Sequence, residues 1–376
     1  MSEPAISPQH SPARPANAAE RIEDLDADLP GRLEHELARF LDEASADIRV
    51  TEPGFTAGLD ALTDFVLGGG KRLRPTFAWW AWRGTGGKPG HAQGVLRAVA
   101  SLELVQACAL IHDDLIDSSD SRRGKPTVHI AFARRHRDRE WLGSPDTFGL
   151  AAAVLIGDLA LAWADDMFNT TALPPAMLAA ARPAWRAMRT EVLAGQFLDV
   201  RTQARGDASP AAALRVSRLK TAAYTVQRPL HLGAALAGAS EDQIATLHEF
   251  GADLGVAFQL RDDLLGVFGD PSVTGKPAGD DLREGKRTLL VALGLAQAAP
   301  RQAGIIANAI GNAALSETDV TEVRAALTDA GAVAAVEQRI EELTGSALKS
   351  LARARLVEPA ATRLEELVAK ATQRTY

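Results

Sequence analysis

Leu102–His129 reads LELVQACALIHDDLIDSSDSRRGKPTVH. It begins as an apolar helical run whose lower end carries Asp113, Asp114 and Asp117. Asp113 and Asp117 are four residues apart, so on a helix they share one face. Gln106, seven before Asp113, falls on that same face. Three bare carboxylates at one helix end would repel each other. They point to a hard cation, and Mg2+ held by one or two carboxylates plus a substrate phosphate is the common arrangement. Arg122 and Arg123 follow in a loop flanked by Gly and Pro. Guanidinium groups bond phosphate oxygens bidentately. Taken alone, such a triplet is more often a solvated helix end with surface ion pairs.

A second acidic pair changes that balance. Asp262 and Asp263 end another apolar run, FGADLGVAFQLRDDLLGVFGD, and Gln259 lies three residues before Asp262 on the same face. Two carboxylate sites, each beneath an apolar helix, can face each other across one cavity. Cations between them would bridge several phosphates, and apolar walls would hold a hydrocarbon. That is the chemistry of an allylic diphosphate.

The remaining composition is permissive. The chain has 376 residues, 46% hydrophobic and 24% charged, ample for a large core in one large domain or two ordinary ones. A formal net charge of -7 gives no support to nucleic-acid binding. The single cysteine, Cys108, excludes an internal disulfide framework and a Cys-based zinc site, and fits a reducing, cytoplasmic setting. No run reaches the roughly 18 apolar residues of a membrane span. The first residues carry Glu3 and no apolar segment, unlike a signal peptide.

Residues 1–25, rich in Pro, Ala and Ser, read as a disordered tail before a domain over 26–376. Beyond the tail the chain reads as helical almost throughout. Expected helices include Phe55–Leu67, Leu73–Trp82, Gln93–Asp117, Thr147–Phe168 and Ala176–Val200. Pro210–Leu236 follows, bent at Pro229, then Glu241–Phe268, Lys286–Ala298, Arg301–Ile310, Glu317–Ala330 and Val333–Ala371. Arg122–Thr127 and Gly269–Gly285 read as loops. There is no strand alternation and no fixed repeat, so the fold class is all-α, a single large bundle.

Further candidates lie outside the acidic motifs. GGGKRLRP at 68–75 lets backbone approach a ligand, with Lys71, Arg72 and Arg74 supplying charge; it is not a P-loop. Lys220 and Thr221 sit in an otherwise apolar helix, where a lysine needs either a partner or a route to water. Lys276 and Lys286 flank GKPAGDDLREGK, a loop able to close over phosphates. Asp165 and Asp166 lack an accompanying glutamine or basic loop. Trp79, Trp80 and Trp82 read as core packing, and His112 as a structural hydrogen-bonding residue.

Together these blocks resemble the polyprenyl synthetase family, the trans-isoprenyl diphosphate synthases, and most of all its geranylgeranyl diphosphate synthases. The matches run in the family's order: GGGKRLRP at 68–75, LIHDDLIDSSDSRRGKPTVH at 110–129 and GQFLDV at 195–200. KT at 220–221, FQLRDDLLGVFGD at 258–270 and GKPAGDDLREGKRTLL at 275–290 complete the set. The resemblance implies the isoprenoid-synthase bundle around a central cavity and Mg2+-dependent prenyl transfer in a homodimer. It implies that Asp113 and Asp117 bind two Mg2+ ions and Asp262 a third. Arg122, Lys220, Thr221, Gln259, Lys276 and Lys286 would hold the allylic diphosphate or its departing charge. Lys71, Arg74, Gln106 and Arg123 would hold isopentenyl diphosphate. One departure is plain: the last position of the second motif, often Asp, is Gly266, and the help of that carboxylate is lost. Small residues at Cys108 and Ala109, where farnesyl-making relatives place an aromatic, imply a C20 product. Class I terpene cyclases usually lack the basic element and the second aspartate pair. Non-catalytic subunits of heteromeric synthases generally lose the aspartates or the arginines.

Overall fold

The computed structural model describes residues 21–270 and 279–373. In chain order the first helices are α1 (Ile22–Ala27), α2 (Leu29–Thr51), α3 (Thr56–Leu67), α4 (Leu73–Gly84), α5 (Ala92–Ile116) and α6 (Val128–Asp138). Next come α7 (Pro145–Asn169), α8 (Pro175–Arg205) and α9 (Pro210–Val216). A π-helical segment, Ser217–Gln227, leads into α10 (Arg228–Ala237) and α11 (Glu241–Phe268). Then follow α12 (Asp280–Arg283), α13 (Leu289–Gln297), α14 (Pro300–Ala309), α15 (Glu317–Asp329), α16 (Ala332–Arg353) and α17 (Ala360–Thr372). The chain is all-α, as its periodicity predicts.

Local signals explain where the helices start. Ser240 and Gln243 form a reciprocal capping box on α11, and Ser316 with Asp319 does the same on α15. Ser144, Ser209 and Thr288 each accept a backbone N–H of the first turn. Proline stands at the first positions of α7, α8 and α14, where its missing N–H costs nothing.

Four boundaries differ from expectation. Residues 21–25, assigned to the tail, belong to the fold. Ile22 and Leu25 are buried, and Asp26 accepts from Trp79 Nε1 at 2.8 Å and from Arg83. Residues 1–20 lie outside the described residues. Lys286 precedes rather than begins α13, because the N-cap is Thr288. The C-terminal helix expected over Val333–Ala371 is two helices, broken before Pro359. Finally, the loop after α5 contains a small antiparallel hairpin, Ser121–Arg122 (β1) with Lys125–Pro126 (β2). Its central residues, Arg123 and Gly124, have φ of 53° and 73°, as a tight mirror-image turn requires.

Helices α5 and α11 run through the middle. α5 packs on α7, α4 and α2; α11 packs on α16 and the π segment. One large core includes Trp79, Trp82, Phe77, Phe168 and Phe250, so the tryptophans of α4 are indeed packing residues. A smaller core lies under the lower half of α11 and includes Leu260, Leu264, Leu290, Ile306 and Leu327. Two helical spans, Pro89–Ile116 and Pro145–Asn169, are long and apolar enough to cross a membrane by length and composition. The apolar part of the first is 72% buried, as befits a core helix, whereas that of the second is only 33% buried. The exposed residues of α7 include Leu150, Val154 and Leu155.

Candidate active site

The π segment is the local feature on which the site depends. It carries Lys220, Thr221, Tyr224 and Thr225 and packs against α8 and α11. Its wider turn fits because three glycines face it. A Cβ on Gly195 would lie 2.3 Å from Lys220 N, and one on Gly255 would lie 2.4 Å from Ala222 Cα. A Cβ on Gly251 would lie 2.6 Å from Gln227 Cα. Pro229, expected as a bend, stands at the start of α10 just beyond this segment. Single π-helical stretches inside α-helices occur frequently at functional sites.

Lys220 Nζ donates to Asp113 at 2.9 Å and to Asp199 at 2.8 Å. It therefore ties α8 to the first acidic motif rather than reaching solvent. Burial disfavours its charge, but Asp113 and Asp199 outweigh that and hold its pKa above the ordinary lysine value. Burial likewise opposes the charge of Asp113, yet Lys220 and Lys286 keep its carboxyl below the usual range. Asp117, on the C-cap of α5, is pushed up to about 6 by burial and by the like charge of Asp113.

Lys286 reaches from the loop before α13 to the first acidic motif. Its Nζ lies 3.6 Å from Asp117, 3.2 Å from Asp281 and 2.5 Å from Glu284. Burial lowers its pKa, but Asp281, Glu284 and Asp117 raise it well above the ordinary value. On α11, Gln259 accepts from Thr221 Oγ1 and donates to Asp263 at 2.6 Å. Burial drives Asp263 up to about 8, the hydrogen bond from Gln259 opposes this, and Asp281 and Asp262 add to it.

Most of these groups line one cavity of about 1490 Å³; Asp117 and Glu284 stand behind its lining. Asp113, Lys220, Thr221, Gln259, Asp262 and Lys286 stand at one part of its wall. Lys71, Arg74, Gln106, Tyr224 and Thr225 stand at another. Val105, Cys108, Ala109, Leu161, Val192 and Phe197 supply apolar surface. Arg74 lies 4.1 Å above the Tyr224 ring and donates to Thr225 at 2.9 Å, while its buried Nε has no hydrogen-bond partner. Tyr224 donates to Gln106 at 2.6 Å.

Other candidates fall elsewhere. Arg72 is not part of the cavity lining, contrary to the expectation that its charge serves a ligand. It pairs with buried Glu103 at 2.8 Å, donates to the Val66 carbonyl at 2.8 Å, and has a left-handed φ of 48°. That buried pair anchors the loop, leaving Lys71 and Arg74 on the cavity side. Arg122 is clamped on buried Asp114, with three contacts of 2.5 to 2.9 Å, and Arg123 donates to the Gly69 carbonyl. Neither arginine is part of the cavity lining. Burial, and then the neighbouring charges of Arg122 and Arg72, lower the pKa of Arg123. Lys276 lies outside the described residues. Asp165 pairs with Arg189 at 2.6 Å and accepts from Trp185 at 2.7 Å. His112 hydrogen-bonds the Val154 carbonyl at 3.2 Å. The sequence reading overlooked Asp199, Tyr224, Glu284 and Asp281. Asp199 had a signal, since it falls one turn after Gly195 within the quoted block GQFLDV.

The donors fit a hard divalent cation. They are all carboxylate oxygens; burial first, and then the like charge of neighbouring carboxylates, raises Asp117 and Asp263, and a cation would relieve both. Among the described residues no three His, Cys, Asp or Glu groups converge closely enough to enclose a metal ion. Such an ion would complete its shell with water and ligand oxygens, the usual habit of Mg2+.

Similarity to known proteins agrees with this geometry. Residues 57–327 match the polyprenyl synthetase family model. A geranylfarnesyl diphosphate synthase from Aeropyrum pernix is 33% identical over 310 residues, covering 81% of this chain and 89% of the relative. A geranylgeranyl diphosphate synthase from Mycobacterium tuberculosis is 33% identical over 306 residues, covering 80% of this chain and 78% of the relative. The crystal structure of a Corynebacterium glutamicum geranylgeranyl pyrophosphate synthase, complexed with isoprenyl diphosphate and magnesium, superimposes with a TM-score of 0.89. It is 46% identical, with 92% of this chain and 98% of that one covered. Two acidic helix ends beside one largely apolar cavity, in a chain matched over most of its length, make this protein a prenyltransferase that belongs to the polyprenyl synthetase family.

Proposed function

We propose that this enzyme condenses isopentenyl diphosphate with allylic diphosphates and stops at geranylgeranyl diphosphate, C20. The observation that carries this reading is the single cavity. It has Asp113 and Asp262 at one part of its wall and the small residues Cys108 and Ala109 farther along α5. Val105, eight residues before Asp113, lies roughly 12 Å along the helix from it. Leu161 of α7 adds bulk to the cavity wall.

In this reading Asp113, Asp117 and Asp262 would hold Mg2+, three ions in all, whose positive charge would offset that on the departing diphosphate. Lys220, on Asp113, and Lys286, near Asp117, add positive charge at the first motif, with Thr221 and Gln259 orienting the group. Arg122 and Lys276 belong to the same set. Lys71, Arg74, Gln106 and Arg123 hold isopentenyl diphosphate so that its alkene faces the cation left behind. The apolar wall excludes water that would quench that cation. A proton then leaves to the released diphosphate, and no covalent enzyme intermediate is needed.

We further read the molecule as a cytoplasmic homodimer. The exposed Leu150, Val154 and Leu155 of α7 form the apolar face that a second copy would cover.

The test is incubation of purified protein with Mg2+, isopentenyl diphosphate and, separately, C5, C10 and C15 allylic diphosphates, with products sized by mass. A C20 product supports the reading. A C15 product keeps the reaction but moves the wall elsewhere. No elongation by folded protein overturns the proposal.

A further inference from the structure

We propose that Asp281 supplies the carboxylate missing from the second acidic motif, with Gly266 the vacancy that admits it. This rests on the prenyltransferase reading above. The motif runs Asp262, Asp263, Leu264, Leu265, Gly266, so its last position has no side chain. Yet the space beside that glycine is taken. A Cβ built on Gly266 would lie 2.0 Å from Asp281 Oδ2 and 2.7 Å from its Cγ. The atom standing where a side chain at 266 would begin is itself a carboxylate oxygen.

The fold fixes this placement from both sides. Gly279 N donates to the Gly266 carbonyl at 3.1 Å, which straps the start of α12 to the end of α11. Gly279 has a φ of 76°, and a Cβ there would meet Val320 Cγ2 at 2.7 Å, so the strap runs in a tight left-handed turn against α15. Asp281 follows two residues later and lines the cavity together with Asp262, Asp263 and Gly266. Its carboxylate also accepts from Lys286 Nζ at 3.2 Å, the ammonium that reaches Asp117 of the first motif.

A merely structural aspartate at the start of a short helix would turn to solvent, where its charge is cheap. Asp281 instead enters a pocket that already holds Asp262 and Asp263. Bringing a third negative group among them is unfavourable; the Lys286 ammonium offsets part of that charge, and a divalent cation would offset more. A hard ion bound by Asp262 keeps several of its waters, and these need acceptors. Asp281 is therefore a positioning residue that orients the hydration shell from the strap rather than from the helix.

The experiment is calorimetric titration of Mg2+ into the full chain in the presence of inorganic pyrophosphate, which requires no turnover. Asp281→Asn preserves shape and removes the charge. The expected result is an apparent Mg2+ affinity about tenfold weaker. The double variant Gly266→Asp with Asp281→Gly returns the carboxylate to the helix and vacates its place on the strap. It should recover to within about threefold of the parent. An Asp281→Asn protein that binds like the parent overturns the proposal, whatever its melting temperature. So does a folded double variant that stays as weak as Asp281→Asn. Failure of the parent itself to bind Mg2+ with pyrophosphate would overturn the prenyltransferase reading along with it.

Discussion

Cys108 is a small residue at a decisive place. It lines the cavity five positions before Asp113, is 4% exposed, and burial raises its thiol to about 12, so it acts as volume rather than as a nucleophile. Cys108→Phe should therefore shorten the product from C20 toward C15 with the same primers, and an unchanged product would sink this account of the wall. A second residue-scale expectation concerns His231. Its ring centroid lies 4.6 Å from that of His248, and Arg228 approaches both rings at 3.4 and 3.5 Å while pairing with Glu191. Burial, then His248, then Arg228, push His231 down to about 4 from 6.5. The unfolded chain thus takes up a proton between those values that the native state refuses. Its contribution to stability is intact above pH 6.5 and is lost as pH falls toward 4. Asp117, raised to about 6, pulls the other way, so the informative quantity is a difference. Melting curves from pH 7.5 to 4.5 should be flatter for His231→Gln than for the parent. Equal slopes would rule this out. At this scale Asp113, Gln106, Asp262 and Gln259 were legible because helical spacing alone puts each pair on one face. Asp199, Asp281 and the inward turn of Arg72 were not, because each depends on a partner contributed by a different element.

The elements meet most tightly around the π segment. Helical periodicity predicts a helix over Pro210–Leu236 bent or interrupted only at Pro229, since nothing in 3.6-residue spacing marks a wider turn. What marks it are glycines on other helices, Gly195 on α8 with Gly251 and Gly255 on α11. Their significance appears only once the elements are docked. Gly255→Val would drive Cβ to 2.4 Å from Ala222 Cα, and backbone cannot retreat as a side chain can. It should destabilise the protein by about 1–3 kcal/mol, the usual cost of overpacking, and displace Lys220 and Thr221, so that activity falls further than stability. Gly304 is the control: it lies in α14 with nothing within 4 Å of a built Cβ. Gly304→Ala should leave activity unchanged and raise stability by about 0.5–1 kcal/mol. A Gly255→Val protein that melts and turns over like the parent would show that the close approach is not required.

For the molecule as a whole, the face of α7 is the open question that a single measurement answers. Leu155 is 63% exposed on a helix whose apolar span is only one-third buried. Leu155→Glu should convert a dimer to a monomer in light scattering after gel filtration, with the fold retained. A parent that is monomeric at micromolar concentration would remove the homodimer from the proposal. The all-α class was readable because apolar periodicity is local and long. The second core beneath the end of α11 was not, because it forms only where separate elements, α11 and α13–α16, dock on one another.

The three glycines that seat the π segment also impose an order of events during synthesis. An isolated π-helix has little stability of its own; this one needs α8 behind it and α11 in front. A nascent chain halted before residue 251 has made Lys220 and Thr221 but not the surface that holds them. The diphosphate end of the cavity is therefore completed late, after the wall formed by α5 and α7 has had time to pack. Pulse-labelled hydrogen exchange would register this as amides of 217–227 gaining protection behind those of 92–116.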